Sequence, residues 1–196
     1  MSVVLSVEGT ASAQPLRLRP WCADDAEAVA AAHQDPVLRR WLKTRIDGEP
    51  DARRWIDEQM DQWSAGTRFS FAVLERTPGR SPERTGEDED FGRPVGQVVV
   101  KEMAPDKNSA EVGYWVAAQA RGRGVAPRAL SAVSRWAFGL RRTTPLERLD
   151  LIHAVGNPAS HRVAEESRFA LRSALPALPP AFPAEGHPHS QWADPR

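Results

Sequence analysis

A chain of 196 residues accommodates one domain with short tails. Lys and Arg total 26, as do Asp and Glu, so no net basicity points to nucleic acid, and no apolar run reaches the roughly 18 to 20 residues that span a bilayer. With 41% hydrophobic and 27% charged residues, and a start "MSVVLSVEGT" that lacks the basic stretch of a signal peptide, the chain reads as soluble and cytoplasmic.

In chain order, residues 1–13 read as a tail and residues 14–175 as the domain. "LRLRPW" from Leu16 alternates like a half-buried strand, and Asp24 and Asp25 are placed to cap the alanine-rich helix that follows. Cys22 has no disulfide partner and reads as a small apolar core residue; no Cys or His pair stands at ligand spacing, so no metal is expected. In "RRWIDEQMDQW", Trp55, Ile56, Gln59, Met60 and Trp63 recur at helical spacing, with Gly66 as the stop. "FSFAVLE" from Phe69 and "PVGQVVVKEM" from Pro94 are strands joined by a long polar loop, 77–93, with five acids and one arginine between Glu83 and Asp90. That loop is a solvated insertion or an acidic lure for basic substrates. "SAEVGYWVAA" and "RLDLIHAV" are two more strands, and between them "PRALSAVSRWAFGL" carries one apolar face, so the three form a βαβ crossover with parallel strands. Residues 176–196 are a proline-rich tail.

The turn that opens the crossover helix, "QARGRGVA", carries the chemistry. Gly122 and Gly124 let backbone approach a ligand, the first helical turn has N–H groups without internal acceptors, and Arg121 and Arg123 add charge, so a phosphate or pyrophosphate fits there. An ordinary tight turn is the alternative. The stretch lacks the Lys-Ser or Lys-Thr of a P-loop and the third glycine of a dinucleotide fingerprint. Arg121, Gly124 and Ala126 do satisfy [RQ]-x-x-G-x-[GA], which resembles the acetyl-CoA pyrophosphate loop of the GNAT N-acetyltransferases. "AEVGYWVAAQARGRGVAPRAL" and "NPASHRVAEESRF" resemble the branch that holds the ribosomal-protein alanine and serine N-acetyltransferases, and the similarity runs from Leu16 to about Phe169.

The resemblance implies an α+β (mixed α/β) fold: a mostly antiparallel twisted sheet with flanking helices, splayed between "EVGYWV" and "LDLIHAV" to admit acetyl-CoA. It implies that Val116 offers backbone groups to the pantetheine arm, that Arg121, Gly122, Arg123, Gly124, Val125 and Ala126 hold the pyrophosphate, and that Asn157 contacts the arm from the far side or simply caps the next helix. Where many members carry a tyrosine seven residues after the Asn, this chain has Ala164, and the glycine expected before Phe169 is Arg168, which the pattern places in a left-handed conformation. The resemblance to the ribosomal-protein branch implies that a serine three residues after the Asn protonates the leaving thiolate, and Ser160 stands there, or else is a helix residue bonding locally. The attacking amine must lose a proton, and Glu111 is the candidate base, or a plain strand-end charge; His153 and His161 read as structural. A strand N–H near Val116 would stabilise the tetrahedral oxyanion. The activity so implied is transfer of acetyl from acetyl-CoA, with no metal, to a primary amine such as a protein N-terminus. A small-molecule amine acceptor, or an impaired acyl-CoA-binding protein, stays open, as does monomer or homodimer; no membrane or nucleic-acid partner is expected.

Overall fold

The computed structural model of the chain describes residues 3–77, 91–103, 106–176 and 186–193. Strands β1 (Leu5–Val7), β2 (Leu16–Pro20), β3 (Phe69–Arg76), β4 (Phe91–Lys101), β5 (Ser109–Val116), β6 (Arg148–Ala154), β7 (Ala170–Leu171) and β8 (Gly186–Trp192) form one sheet in the order β1-β2-β3-β4-β5-β6-β8-β7. Neighbouring strands are antiparallel except β5 and β6, which run parallel because helix α4 (Val125–Phe138) crosses over between them.

Two cores lie on opposite faces of this sheet. Strand alternation sends Leu16, Leu18, Phe71, Val73, Val98 and Val112 under α4, while Ala72, Leu74 and Trp115 point toward α1 (Ala26–Ala32) and α3 (Glu49–Ser64). Covered on both sides, β3 is buried without interruption from Ser70 to Glu75. Helix α3 follows the predicted spacing through Trp55, Ile56 and Gln59 and stops at Gly66, whose φ of 69° takes the left-handed turn. Helix α2 (Pro36–Trp41) is capped by Asp35, whose carboxylate accepts from the Val37 N–H at 2.9 Å.

Several boundaries differ from the sequence reading. Each supposed tail contains a strand: β1 pairs with β2, and β8 pairs with β6 along its whole length. Polar and proline-containing, "GHPHSQW" shows no hydrophobic alternation, and its pairing is imposed by β6 rather than announced by its own residues. Strand β4 starts at Phe91, inside the predicted loop, and α4 starts at Val125, two residues early; the rest of the acidic loop, residues 78–90, lies outside the described residues. Asp25 does not bond to the helix it precedes. Its carboxylate is drawn backward by the Arg19 guanidinium, at 2.7 and 2.9 Å, and by the Cys22 N–H at 3.0 Å. Cys22 is half-buried, and burial together with Asp25 pushes its thiol pKa up, which disfavours a nucleophilic thiolate. No described helix is long and apolar enough to cross a membrane.

Gly96 lies at a close approach of β4 to β5. A Cβ there would stand 2.6 Å from the Trp115 carbonyl oxygen. Gly96→Ala must push the two strands apart beside Val116, and a loss of about 1 to 3 kcal/mol in urea denaturation is expected. An unchanged midpoint would show that the strands yield there without cost.

Candidate active site

Strands β5 and β6 pair only from Ser109 opposite Arg148 to Val112 opposite Leu151. Past that point β6 keeps its pairing with β8 to Ala154, while Gly113 to Val116 have no partner on the β6 side among the described residues. The two parallel strands therefore part at their C-terminal ends, where the loop into α4 begins. In open sheets with such a strand end, this is where ligands bind.

Two left-handed glycines shape the loop. Gly122 has φ 73° and Gly124, the N-cap of α4, has φ 69°. A Cβ at Gly122 would meet nothing within 4 Å, and one at Gly124 only the flexible Arg128 Cδ at 3.8 Å, so the glycines serve backbone conformation and leave the space above them open. Val125 and Ala126 present first-turn N–H groups without intrahelical acceptors, and Pro127, in the same turn, has none to leave unpaired. The arginine side chains are engaged elsewhere: Arg121 places Nε 3.1 Å from the Val116 carbonyl and its guanidinium on the Asp35 carboxylate, and Arg123 pairs with Glu75 at 2.6 Å. Their charge is answered by two mostly buried acids, so an anion at this loop would meet backbone N–H groups and the helix dipole rather than unpaired arginine charge. Through Asp35 the loop is also tied to the start of α2.

Across the cleft stands α5 (Pro158–Glu166). Asn157 caps it, its Oδ1 accepting from the Ser160 N–H at 3.1 Å, and its Nδ2 has no hydrogen bond among the described residues. The Tyr114 hydroxyl donates to Ser160 Oγ at 3.0 Å. This contact joins the unpaired stretch of β5 to the far wall. Alternation puts Tyr114 on the α4 face with Val112 and Val116, half-buried, and burial pushes its phenol above the ordinary range. Tyr114 is the chain's single tyrosine, and the alternation of "EVGYWV" sets it on the same face as Val112 and Val116, the signal that marks it as a site residue.

Glu111 occupies the opposite face, one residue before the splay. Its carboxylate is 2.5 Å from Lys101 Nζ, its directly opposed neighbour on β4. The structure therefore does not bring Glu111 and Ser160 together: they flank the opening from its two sides.

The end of α5 explains both departures from the family pattern. Phe169 N–H bonds the Ala164 carbonyl at 2.9 Å and Arg168 N–H bonds the Glu165 carbonyl at 3.0 Å, a Schellman ending with Arg168 at the left-handed position, φ 61°. Ala164 is fully buried beneath it, at 0% exposure, so that position faces the core rather than the cleft. Arg168→Gly should raise stability by about 1 kcal/mol by removing a β-carbon from a left-handed residue; a lower melting temperature would contradict that strain.

The sequence matches the family described as acetyltransferase (GNAT) domain over residues 15–170. Similar solved structures include the ribosomal-protein-S5-alanine acetyltransferase of Vibrio fischeri, 16% identical with a TM-score of 0.74 over 97% of each chain. RimJ of Mycobacterium smegmatis, in complex with CoA-disulfide, is 19% identical with a TM-score of 0.71 over 98% of this chain and 87% of its own. The microcin C7 self-immunity acetyltransferase MccE, in complex with acetyl-CoA and AMP, is 15% identical with a TM-score of 0.74 over 94% of this chain and 98% of its own. At such identities the likeness is one of fold. No curated protein matches the chain at a significant level.

Proposed function

Because the chain belongs to the GNAT acetyltransferase family, we propose that it transfers acetyl from acetyl-CoA directly to a primary amine, with a protein N-terminus as the acceptor class. The observation that carries this reading is the cleft between parallel strands β5 and β6, with a left-handed glycine loop at one wall and the Tyr114–Ser160 pair at the other. A protein acceptor is favoured because ribosomal-protein acetyltransferases share the fold across nearly the whole chain. Acetyl-CoA supplies an activated thioester, whose carbonyl an amine can attack.

The protein's own residues divide the remaining work. Gly122, Gly124, Val125 and Ala126 present backbone N–H groups to the pyrophosphate, and Arg121 and Arg123 hold the loop in shape through Asp35 and Glu75. Val116 backbone and the Asn157 Nδ2 line the path of the pantetheine arm. Ser160 donates its proton toward the departing thiolate and draws on the Tyr114 hydroxyl behind it. Glu111, on the other face and paired with Lys101, accepts the amine proton through water. Nucleophile and leaving group are thus served from opposite sides of the sheet, and no covalent acyl-enzyme is required.

A screen of N-terminal peptides, polyamines and aminoglycosides for acetyl-CoA-dependent thiol release tests the acceptor class. Peptide turnover with kcat/KM at least about tenfold above any small amine is expected. The reverse order would move the acceptor to small molecules, and tight acetyl-CoA binding without turnover on any amine would make the chain a binding protein.

A further inference from the structure

Four of the chain's five histidines, His153, His161, His187 and His189, stand together where β6, β8 and α5 meet, with ring centroids 5.1 to 6.0 Å apart. Strand geometry gathers three of them. His187 and His189 share a face of β8 by the two-residue repeat, and the register sets His153 directly opposite His187. Helix α5 lays His161 over that face.

The ring nitrogens are polarised in one sense. His153 Nδ1 lies 2.9 Å from the Ala154 carbonyl and His189 Nδ1 lies 3.1 Å from the Phe169 carbonyl. A carbonyl only accepts, so both Nδ1 atoms carry the proton and both Nε2 atoms present lone pairs. Those two Nε2 atoms are 3.2 Å apart, a repulsive arrangement unless a cation lies between them. His161 Nε2 is 3.3 Å from the Glu165 carboxylate, which turns its Nδ1 lone pair inward. The Nδ1 atoms of His161 and His187 are buried with no hydrogen-bond partner. One ring nitrogen from each of His153, His161 and His187 lies within 4.8 Å of the other two.

A proton shared by His153 and His189 would leave the His161 and His187 nitrogens unanswered; one metal ion answers all of them. Imidazoles whose second nitrogen donates to a carbonyl or carboxylate are the usual ligand form, and metal–nitrogen bonds of about 2.0 to 2.1 Å in tetrahedral geometry set nitrogens about 3.3 Å apart. We propose that His153, His161 and His187 bind a divalent transition-metal ion of the zinc class, with His189 Nε2 beside His153 at the edge of the site. A groove of about 400 Å³ bordered by His161, Glu165, Phe169 and His189 gives the ion its way in. The bound ion fastens the last described strand to β6 and to the helix that carries Ser160. It is a structural tie, separate from acetyl transfer, which needs no metal.

The test uses the untagged full chain, stripped with chelator and titrated with Co²⁺ and then Zn²⁺. One Co²⁺ per chain is expected, with the intense visible bands of tetrahedral nitrogen coordination, displaced by Zn²⁺, and Zn²⁺ should raise the melting temperature. His187→Ala should weaken binding by more than about a hundredfold, and Glu165→Gln, an exposed change at 62% that leaves the fold intact, by about 10- to 100-fold. Octahedral Co²⁺ spectra, the absence of stoichiometric binding, or affinity in Glu165→Gln and His187→Ala equal to that of the parent would overturn the assignment.

Discussion

Gly124→Asp is expected to weaken CoA binding at least about a hundredfold, about 2.7 kcal/mol, while leaving the melting temperature nearly unchanged. The two effects separate because of where this residue stands. A side chain there meets only Arg128 Cδ, at 3.8 Å, so the protein has room for it. Aspartate tolerates left-handed backbone better than most residues, and a carboxylate at a helix N-terminus satisfies first-turn N–H groups and the dipole. Those same groups are the ones proposed to hold the pyrophosphate. Calorimetry would thus show a folded protein whose anion site is occupied by its own side chain. Gly124→Ala is the control: it carries the cost of a β-carbon at φ 69°, about 1 to 2 kcal/mol of stability, without the charge, and should lose far less affinity. CoA affinity retained in Gly124→Asp would remove the loop from the binding site.

Ser160→Ala is expected to lower the rate constant for acetyl transfer by about 10² to 10⁴ with acetyl-CoA affinity nearly intact, and Tyr114→Phe to reproduce much of that loss. The Tyr114 hydroxyl donates to Ser160 Oγ, which leaves the serine proton free to point into the cleft. Because the two act in series, the double variant should be little slower than Ser160→Ala alone. Burial holds the phenol above its ordinary pKa of about 10, so it keeps its proton throughout the neutral range and the rate should fall only on the alkaline side of about pH 10. Tyr114→Phe should lose that decline. Glu111→Gln acts on the other substrate: it should lower the rate with an ammonium acceptor and be rescued by an amine of low pKa, whereas Ser160→Ala should not be rescued. Equal rescue of both, or parental rates in both, would dismiss these roles and leave the cofactor cleft standing.

What could be read from the sequence followed from patterns that local chemistry enforces. Gly122 and Gly124 announced a turn whose backbone can approach a ligand, the apolar face around Ala129, Leu130 and Val133 announced the crossover helix, and "EVGYWV" and "LDLIHAV" announced strands parallel to each other. Even Arg168, an arginine where glycine is usual, adopts the left-handed conformation that its position demands. The illegible parts depend on partners far away in sequence. Strand β8 owes its conformation to β6, and the four histidines meet through that pairing, which joins His153 to His187 and no linear spacing reveals. The engagement of Arg121 by Asp35 and of Arg123 by Glu75 likewise joins segments tens of residues apart, so two charges that seemed aimed at a phosphate turn out to be met by protein acids. Tyr114 was visible as a residue but not as a neighbour of Ser160, because that contact requires knowing which face of β5 the helix α5 covers.

The proposed function requires that the opening between β5 and β6 bind acetyl-CoA and deliver its acetyl group to an amine. Single-turnover mixing of the protein, preloaded with acetyl-CoA, with N-terminal peptides tests this most directly, following thiol release and peptide mass together. Thiol should appear only with peptide, in step with one acetyl group on the peptide's α-amine, and Gly124→Asp should abolish both by preventing loading. Thiol release without acetylated peptide, or a protein that cannot be loaded with acetyl-CoA at all, would contradict it.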